Sequence, residues 1–265
     1  MNLHTGDNQD WGRTLPDDSI DLLITSPPYL EARDYGIGAG RKIDAWVSWM
    51  TEFVRVFAPK VKGLMAIVCE GQTRDFRYQP APFLLMADLH RAGYNLRKPA
   101  IYKRDGIPGS GGPDWLKNKW EPIICITRKG RLPWSDPTAC GHPPVCKPGG
   151  RPSNRTKGGS RLRDGEYKAP LLANPGNIID CGSGGGGQMG SEYAHENEAP
   201  FPLKLADFFV RSFCPPRGVV CDPFLGSGTV AEAALVNGRD FVGGDIRESQ
   251  LEITRKRLAA IPSIR

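Results

Sequence analysis

The sequence predicts an α/β fold with a mostly parallel sheet. Short apolar runs alternate with amphipathic stretches across residues 1–130, and the same grammar returns across 191–265. One late apolar run opens directly into a Gly-x-Gly turn and a helical stretch, the arrangement of a strand feeding a ligand-binding helix. At 265 residues the chain is one large domain, or one domain with a sizeable insertion, and is long enough to bury a substantial core.

The elements follow in order. Ile20-Asp21-Leu22-Leu23-Ile24 reads as a buried strand. A helix runs from Asp44, placed to cap it, to Phe57, because Trp46, Trp49, Met50, Phe53 and Phe57 recur at spacings of three and four. Leu64 to Cys69 is a second strand, Pro82 to Ala92 a helix ended by Gly93, and Pro122 to Thr127 a third strand. After the middle of the chain, Pro202 suits the first turn of a helix that buries Leu203, Ala206, Phe209, Val210 and Phe213. Gly218 to Cys221 is the strand that delivers the glycine turn, and a helix from Thr229 to Asn237 stops at Gly238. Phe241 to Gly244 forms the next strand, ending at Asp245, and the last helix spans Ser249 to Ala260.

Residues 131–190 break this pattern. Pro, Gly and basic residues dominate: between Lys147 and Lys168, Lys147, Arg151, Arg155, Lys157, Arg161, Arg163 and Lys168 stand against only Asp164 and Glu166. A run from Gly182 to Gly187 follows. Such a segment reads as a long functional loop or an inserted recognition region. The chain therefore divides into 1–130, an insert at 131–190, and 191–265.

Composition narrows the function classes. No charged-then-apolar leader opens the sequence and no run of ~18 apolar residues occurs, so neither secretion nor a membrane span is expected. The seven cysteines are odd in number and scattered, as reduced thiols of a cytosolic protein are. A formal net charge of +6 suits a polyanionic partner, although ordinary soluble proteins share it. Cys140, His142 and Cys146 lie close together, but their spacing fits no zinc knuckle or ribbon, and no metal is expected.

Two motifs carry chemistry. In Asp222-Pro223-Phe224-Leu225-Gly226-Ser227-Gly228-Thr229, the turn places free backbone N–H groups beside a ligand and the glycines allow close approach. Asp245, at the end of the next strand, is placed to bond ribose hydroxyls. A nicotinamide dinucleotide site uses similar parts but needs Gly-x-Gly-x-x-Gly, which is absent. The second motif, Thr25-Ser26-Pro27-Pro28-Tyr29, cannot be helical, because each proline forces its predecessor toward extended geometry. Its prolines remove two N–H donors and leave carbonyls to accept. The Ser26 hydroxyl and the Pro27 carbonyl can take the two hydrogens of an exocyclic amine, localising its lone pair. Tyr29 offers a flat face for a flipped base.

In this order and at this separation, the two motifs resemble the beta class of DNA amino-methyltransferases. The resemblance extends to Gly6-Asp7, Arg91 to Arg97, Tyr102-Lys103, Trp120-Glu121-Pro122 and the stretch His195 to Ala206. It implies a Rossmann-like, circularly permuted methyltransferase fold in which a catalytic half (1–130) precedes a cofactor half (191–265), with target recognition at 131–190. It implies S-adenosylmethionine as cofactor, held by Asp7, Thr25, Phe201, Asp222, Pro223, Phe224, Gly226, Ser227, Gly228, Thr229 and Asp245. The catalytic loop is then Ser26, Pro27, Pro28 and Tyr29. The partner implied is double-stranded DNA, with Lys147, Arg151, Arg155, Lys157, Arg161 and Arg163 as phosphate contacts. Family members with Ser-Pro-Pro-Tyr are mostly cytosine-N4 enzymes, whereas adenine-N6 members usually carry Asp in place of Ser. The expected activity is therefore methyl transfer to cytosine N4, with adenine N6 as the alternative. Cytosine-C5 chemistry is disfavoured, since neither Cys214-Pro215-Pro216 nor Pro144-Val145-Cys146 matches its nucleophile loop. A non-catalytic DNA-binding relative is a further alternative, against which the intact loop argues. The resemblance also implies a cytoplasmic monomer or homodimer in a bacterial or phage-infected cell, with a cognate restriction endonuclease as a candidate partner.

Overall fold

The computed structural model describes residues 1–29, 42–104, 114–146, 168–181 and 202–261. The first part of the chain forms β1 (Asn2–Thr5), α1 (Asn8–Thr14), β2 (Ile20–Thr25), α2 (Ile43–Phe57) and β3 (Val61–Val68). A hairpin, β4 (Gln72–Arg74) and β5 (Arg77–Gln79), precedes α3 (Ala81–Arg91), β6 (Asn95–Leu96), β7 (Ala100–Lys103) and β8 (Trp120–Thr127). Then come β9 (Ile178–Asp180), α4 (Leu203–Phe213), β10 (Val219–Asp222), α5 (Thr229–Val236), β11 (Asp240–Asp245) and α6 (Glu248–Ala259).

Strands such as β2 and β3 are almost entirely apolar and belong inside a sheet covered on both faces. The main sheet runs β1-β11-β10-β2-β3-β8-β7-β9, with β6 also on β8. The first five strands are parallel; β8 is antiparallel to both β3 and β7. Leu22 and Ile24 pack with Phe209, Val210 and Ala233 on one face, while Leu23, Met65 and Ile67 meet Trp46, Met50, Phe53 and Phe57 on the other. Ile20 lies on the same side as Leu23, against simple alternation, because the β2–β3 register shifts between Ile20 and Leu22. That shift coincides with Gly63, where a Cβ would stand 1.9 Å from the Asp21 carbonyl oxygen.

The path from β10 through α5, β11 and α6 leads in space to β1, then α1, β2, α2 and β3. Thr5 and Glu248 tie β1 to α6 by a side-chain hydrogen bond. This is the circularly permuted order: the strand bearing the glycine turn lies centrally in the sheet but late in the chain. The order reverses direction between β10 and β2, so their carboxyl ends flank the crevice where open α/β sheets bind ligands.

The expected elements are present, with shifted ends. Lys42, not Asp44, occupies the N-cap of α2, without a side-chain bond; Asp44 sits in the first turn, where its charge meets the helix dipole. β3 begins at Val61 rather than Leu64, since Val61 pairs with Ile20 across the register shift at Lys62 and Gly63, where the apolar run is interrupted. β1, α1, the hairpin, β6, β7 and β9 were not foreseen as elements. β9 lies within the span read as an insert, yet pairs with β7 and extends the sheet. Residues preceding it lean on α4 through Asp136 N–H to the Ser212 carbonyl, 2.9 Å. Among the described residues, no helix is long and apolar enough to cross a membrane.

Candidate active site

The carboxyl ends of β1, β11, β10 and β2 meet at one cleft. It is lined by Asp7 and Asn8 after β1, Asp245 to Arg247 after β11, Asp222 to Ser227 after β10, and Ser26 to Tyr29 after β2. Thr229 and Val230 of α5 and Trp49 of α2 complete it. The two motifs, nearly 200 residues apart, are joined directly: Thr25 Oγ1 donates to Asp222 Oδ1 at 2.5 Å.

The glycine turn is built inward. Phe224 N–H bonds Asp222 Oδ1 (3.1 Å) and Gly226 N–H bonds Asp245 Oδ2 (3.0 Å). Leu225 N–H bonds the Gly244 carbonyl and Gly228 N–H the Leu225 carbonyl. The turn therefore spends most of its N–H groups on its own shape, where free donors beside a ligand were expected. Gly228 takes a left-handed φ of 81°, and a Cβ there would lie 2.7 Å from Thr254 Oγ1. Thr254 Oγ1 also donates to the Gly226 carbonyl (3.0 Å). Behind it, the buried Arg257 pairs with Glu232 and donates to Thr229 Oγ1 (2.9 Å) and the Ser227 carbonyl (3.3 Å).

Asp222 is almost wholly buried. Burial, with a smaller contribution from the charge on Asp245, pushes its carboxyl up to about 7, against the pull of its Thr25 and Phe224 bonds. Asp245 Oδ1 accepts from Arg247 N–H at 3.0 Å. Asp7 caps α1, accepting from the N–H groups of Gln9 (2.8 Å) and Asp10 (3.0 Å).

The Ser-Pro-Pro-Tyr loop is held from outside. Trp46 Nε1 donates to the Pro28 carbonyl at 2.8 Å, so that acceptor is used; the Pro27 carbonyl has no partner among the described residues. Ser26 Oγ donates to Tyr29 Oη (3.3 Å), and Tyr29 Oη donates to Glu121 Oε2 (2.7 Å). Glu121, buried at the start of β8, is ion-paired with Arg104 at 2.8 Å. Burial, then the Glu121 charge, holds the Tyr29 hydroxyl well above its ordinary pKa, so it stays protonated. Because the Ser26 proton is directed at Tyr29, the Ser26 oxygen is left to accept.

The cleft suits a cationic nucleoside-type cofactor. Three acidic side chains, Asp7, Asp222 and Asp245, stand beside the Phe224 ring, Trp49 and Ile246. Asn8 Oδ1 is buried without a partner among the described residues, while Asn8 Nδ2 reaches the Pro223 carbonyl at 3.5 Å. Phe224 packs edge-on to Trp49 at 5.5 Å between ring centroids, fixing one wall. Of the residues expected at the cofactor, Asp7, Asp222, Pro223, Phe224, Gly226, Ser227, Thr229 and Asp245 line the cleft. Thr25 and Gly228 stand behind the lining, their roles taken up by Asp222 and Thr254. Phe201 and the six basic residues from Lys147 to Arg163 lie outside the described residues. The sequence pattern does not mark Asn8, Trp49 or Arg247 for the cleft, and Glu121 falls there only within the resembling stretch Trp120-Glu121-Pro122. The apolar period of α2 had assigned Trp49 to the core, and nothing local marks a lone Asn or Glu. Cys69 and Cys221, both buried, have thiols held well above their ordinary pKa by that burial.

A permuted parallel sheet with this cleft at its switch point defines an S-adenosylmethionine-dependent methyltransferase. The DNA methylase family model of the N6/N4 type matches residues 20–256, and the chain belongs to that family. It is 30% identical over 252 residues to the orphan methyltransferase M.BamHII of Bacillus amyloliquefaciens, covering 91% of this chain and 89% of that one. The type II methyltransferase M.ScaI of Streptomyces caespitosus is 24% identical over 262 residues (97% and 81% covered). In fold the chain resembles the cytosine-N4-specific PvuII DNA methyltransferase, with a TM-score of 0.73, 18% identity, and 99% and 87% of the chains covered. It also resembles a DNA modification methylase of Thermus thermophilus, TTHA0409, in complex with S-adenosyl-L-methionine, with a TM-score of 0.66, 22% identity, and 99% and 95% covered. The protein is thus a DNA methyltransferase of the N4/N6 amino class that uses S-adenosylmethionine.

Proposed function

We propose that the base methylated is cytosine, at N4, after it is flipped from double-stranded DNA into the cleft beside Ser26. The observation that carries this reading is the direction of the chain Ser26–Tyr29–Glu121: it turns a neutral hydroxyl into an acceptor facing the cleft. Bound among Asp7, Asp222, Phe224 and Asp245, the cofactor supplies an electrophilic methyl group. Ser26 Oγ accepts one hydrogen of the exocyclic amine and the Pro27 carbonyl accepts the other, so the nitrogen lone pair is withdrawn from the ring and aimed at that methyl. Tyr29 stacks on the base, its ring set by Glu121. Asp7 and Asp245 bind the adenosine hydroxyls and base. Phosphate contacts fall to the basic residues from Lys147 to Arg163, in the insert at 131–190. The neutral Ser26, and the cytosine-N4 specificity in the name of the PvuII neighbour, support the base assignment.

The test is expression in a methylation-deficient bacterial host, with genome sequencing that separates N4-methylcytosine from N6-methyladenine. N4-methylcytosine in one recurring motif is expected. N6-methyladenine would keep the mechanism and overturn the base assignment; no modification from folded protein would overturn both. Ser26→Ala should retain S-adenosylhomocysteine binding and lose about a hundredfold or more in turnover, the cost of one transition-state contact. Unchanged turnover would remove Ser26 from the mechanism.

A further inference from the structure

The hairpin β4–β5 leaves the carboxyl end of β3, the same sheet edge that carries Ser26. Arg74 pairs with Arg77, so the turn has two residues, Asp75 and Phe76, with φ of 49° and 59°. Positive φ at both central positions defines the I′ geometry that suits Asn-Gly or Asp-Gly. A phenylalanine there is a steric outlier, its Cβ crowded against the backbone. Nothing is gained from the ring in the isolated protein, since Phe76 is 87% exposed. The hairpin is nevertheless braced at its root: Tyr78 Oη and Asn118 Nδ2 both bond Glu70, and a Cβ on Gly71 would meet Tyr78 Oη at 2.5 Å. The Asn118 bond also brings in the strap carrying exposed Trp115, Lys117 and Lys119. A braced finger about 10 Å long, strained at an exposed Asp75-Phe76 tip and flanked by Arg74 and Arg77, therefore follows the end of β3 that lies beside Ser26.

We propose that Phe76 is a wedge that enters the base stack of duplex DNA and holds open the space left by the flipped target base. The occupant is DNA because the tip is aromatic, its flanks are cationic, and it shares an edge with the loop that takes the base. The proposal rests on the base-flipping reading above and adds to it a second point of contact, outside the cleft and outside the basic insert.

Phe76→Gly separates the two roles of this position. It makes the turn Asp-Gly, which relieves the strain and should raise the thermal midpoint by about 2–4 °C. S-adenosylhomocysteine binding should not change. The methylated motif, read from the genome of an expressing host, is built as a matched duplex and as a duplex with the target base mispaired. Methylation of the matched duplex should fall about tenfold or more in kcat/KM, while the mispaired duplex, which costs less to open, stays within about twofold. Phe76→Trp should restore the matched duplex. Equal losses on both duplexes, or no loss on either, would overturn the wedge. A wild-type protein that binds S-adenosylhomocysteine but methylates neither duplex would sink the DNA reading and this inference with it, before any variant is made.

Discussion

The glycine turn and the Ser-Pro-Pro-Tyr loop face each other across one cleft, but they are held in opposite ways. Most backbone anchors of the turn (Gly244, Asp245, Thr254, Arg257) come from the strand and helix that follow it in sequence, with Asp222 just before it and Asn8 at the Pro223 carbonyl as the exceptions. The loop is anchored by Trp46, 18 residues on, and by Glu121, 92 residues on, backed by Arg104. The turn is a self-contained module; the loop is a confluence. A short motif can specify the first, whereas the second needs the whole sheet.

The largest expected effect breaks the module. Arg257→Met leaves Glu232 without its buried partner and removes the brace behind Ser227 and Thr229. Stability should fall by up to about 5 kcal/mol, read by urea denaturation, and S-adenosylhomocysteine affinity should fall with it. A loss of affinity at unchanged stability would mean that Arg257 acts on the ligand and not on the turn.

The second prediction concerns the join between the two walls. Asp222 ionises in the folded protein only near pH 7, against about 3.9 in an unfolded chain. Its folded pKa is raised, so the stability linked to its protonated form is fully present below pH ~4 and is lost as pH rises through about 7. Asp222→Asn removes this titration. The stability of the native protein relative to the variant should therefore decline between pH ~4 and ~7.5, by roughly 4 kcal/mol. A pH-independent difference would show that Asp222 remains ionised throughout.

The third and smallest effect sharpens the contrast at the loop. Glu121→Gln keeps the shape and an acceptor for Tyr29 but removes the charge that orients the proton chain. The turnover number should drop by about thirtyfold, ~2 kcal/mol, while S-adenosylhomocysteine binding stays unchanged, because the turn does not depend on this residue. A parallel loss of cofactor affinity would show that the two walls are coupled more tightly than their separate anchors imply.

Much of the fold was legible because its central strands are largely apolar and α2 and α4 are strongly periodic. The elements that were missed are short or lie at edges: β1, β6, β7 and β9 each have four residues or fewer. Too few residues remain there for a period to emerge, and pairing with a neighbour supplies what pattern does not. Trp49 shows the limit from the other side. Its spacing placed it in the core, and it does pack against the core, but as a half-buried ring that forms the cleft wall against Phe224.

The sequence by itself determined the class of sheet, the glycine turn and the loop that cannot be helical. These follow from apolar period, from the conformational freedom of glycine and from the fixed φ of proline, all of which act within a few residues. Only the tertiary structure decided that Thr25 hands its hydroxyl to Asp222, that Glu121 reaches Tyr29, and that Asn8 lines the cleft beside Pro223. Each of these is a contact between side chains brought together by strand order. Hydrogen bonds act over about 3 Å in space whatever the distance along the chain, so no local pattern encodes them.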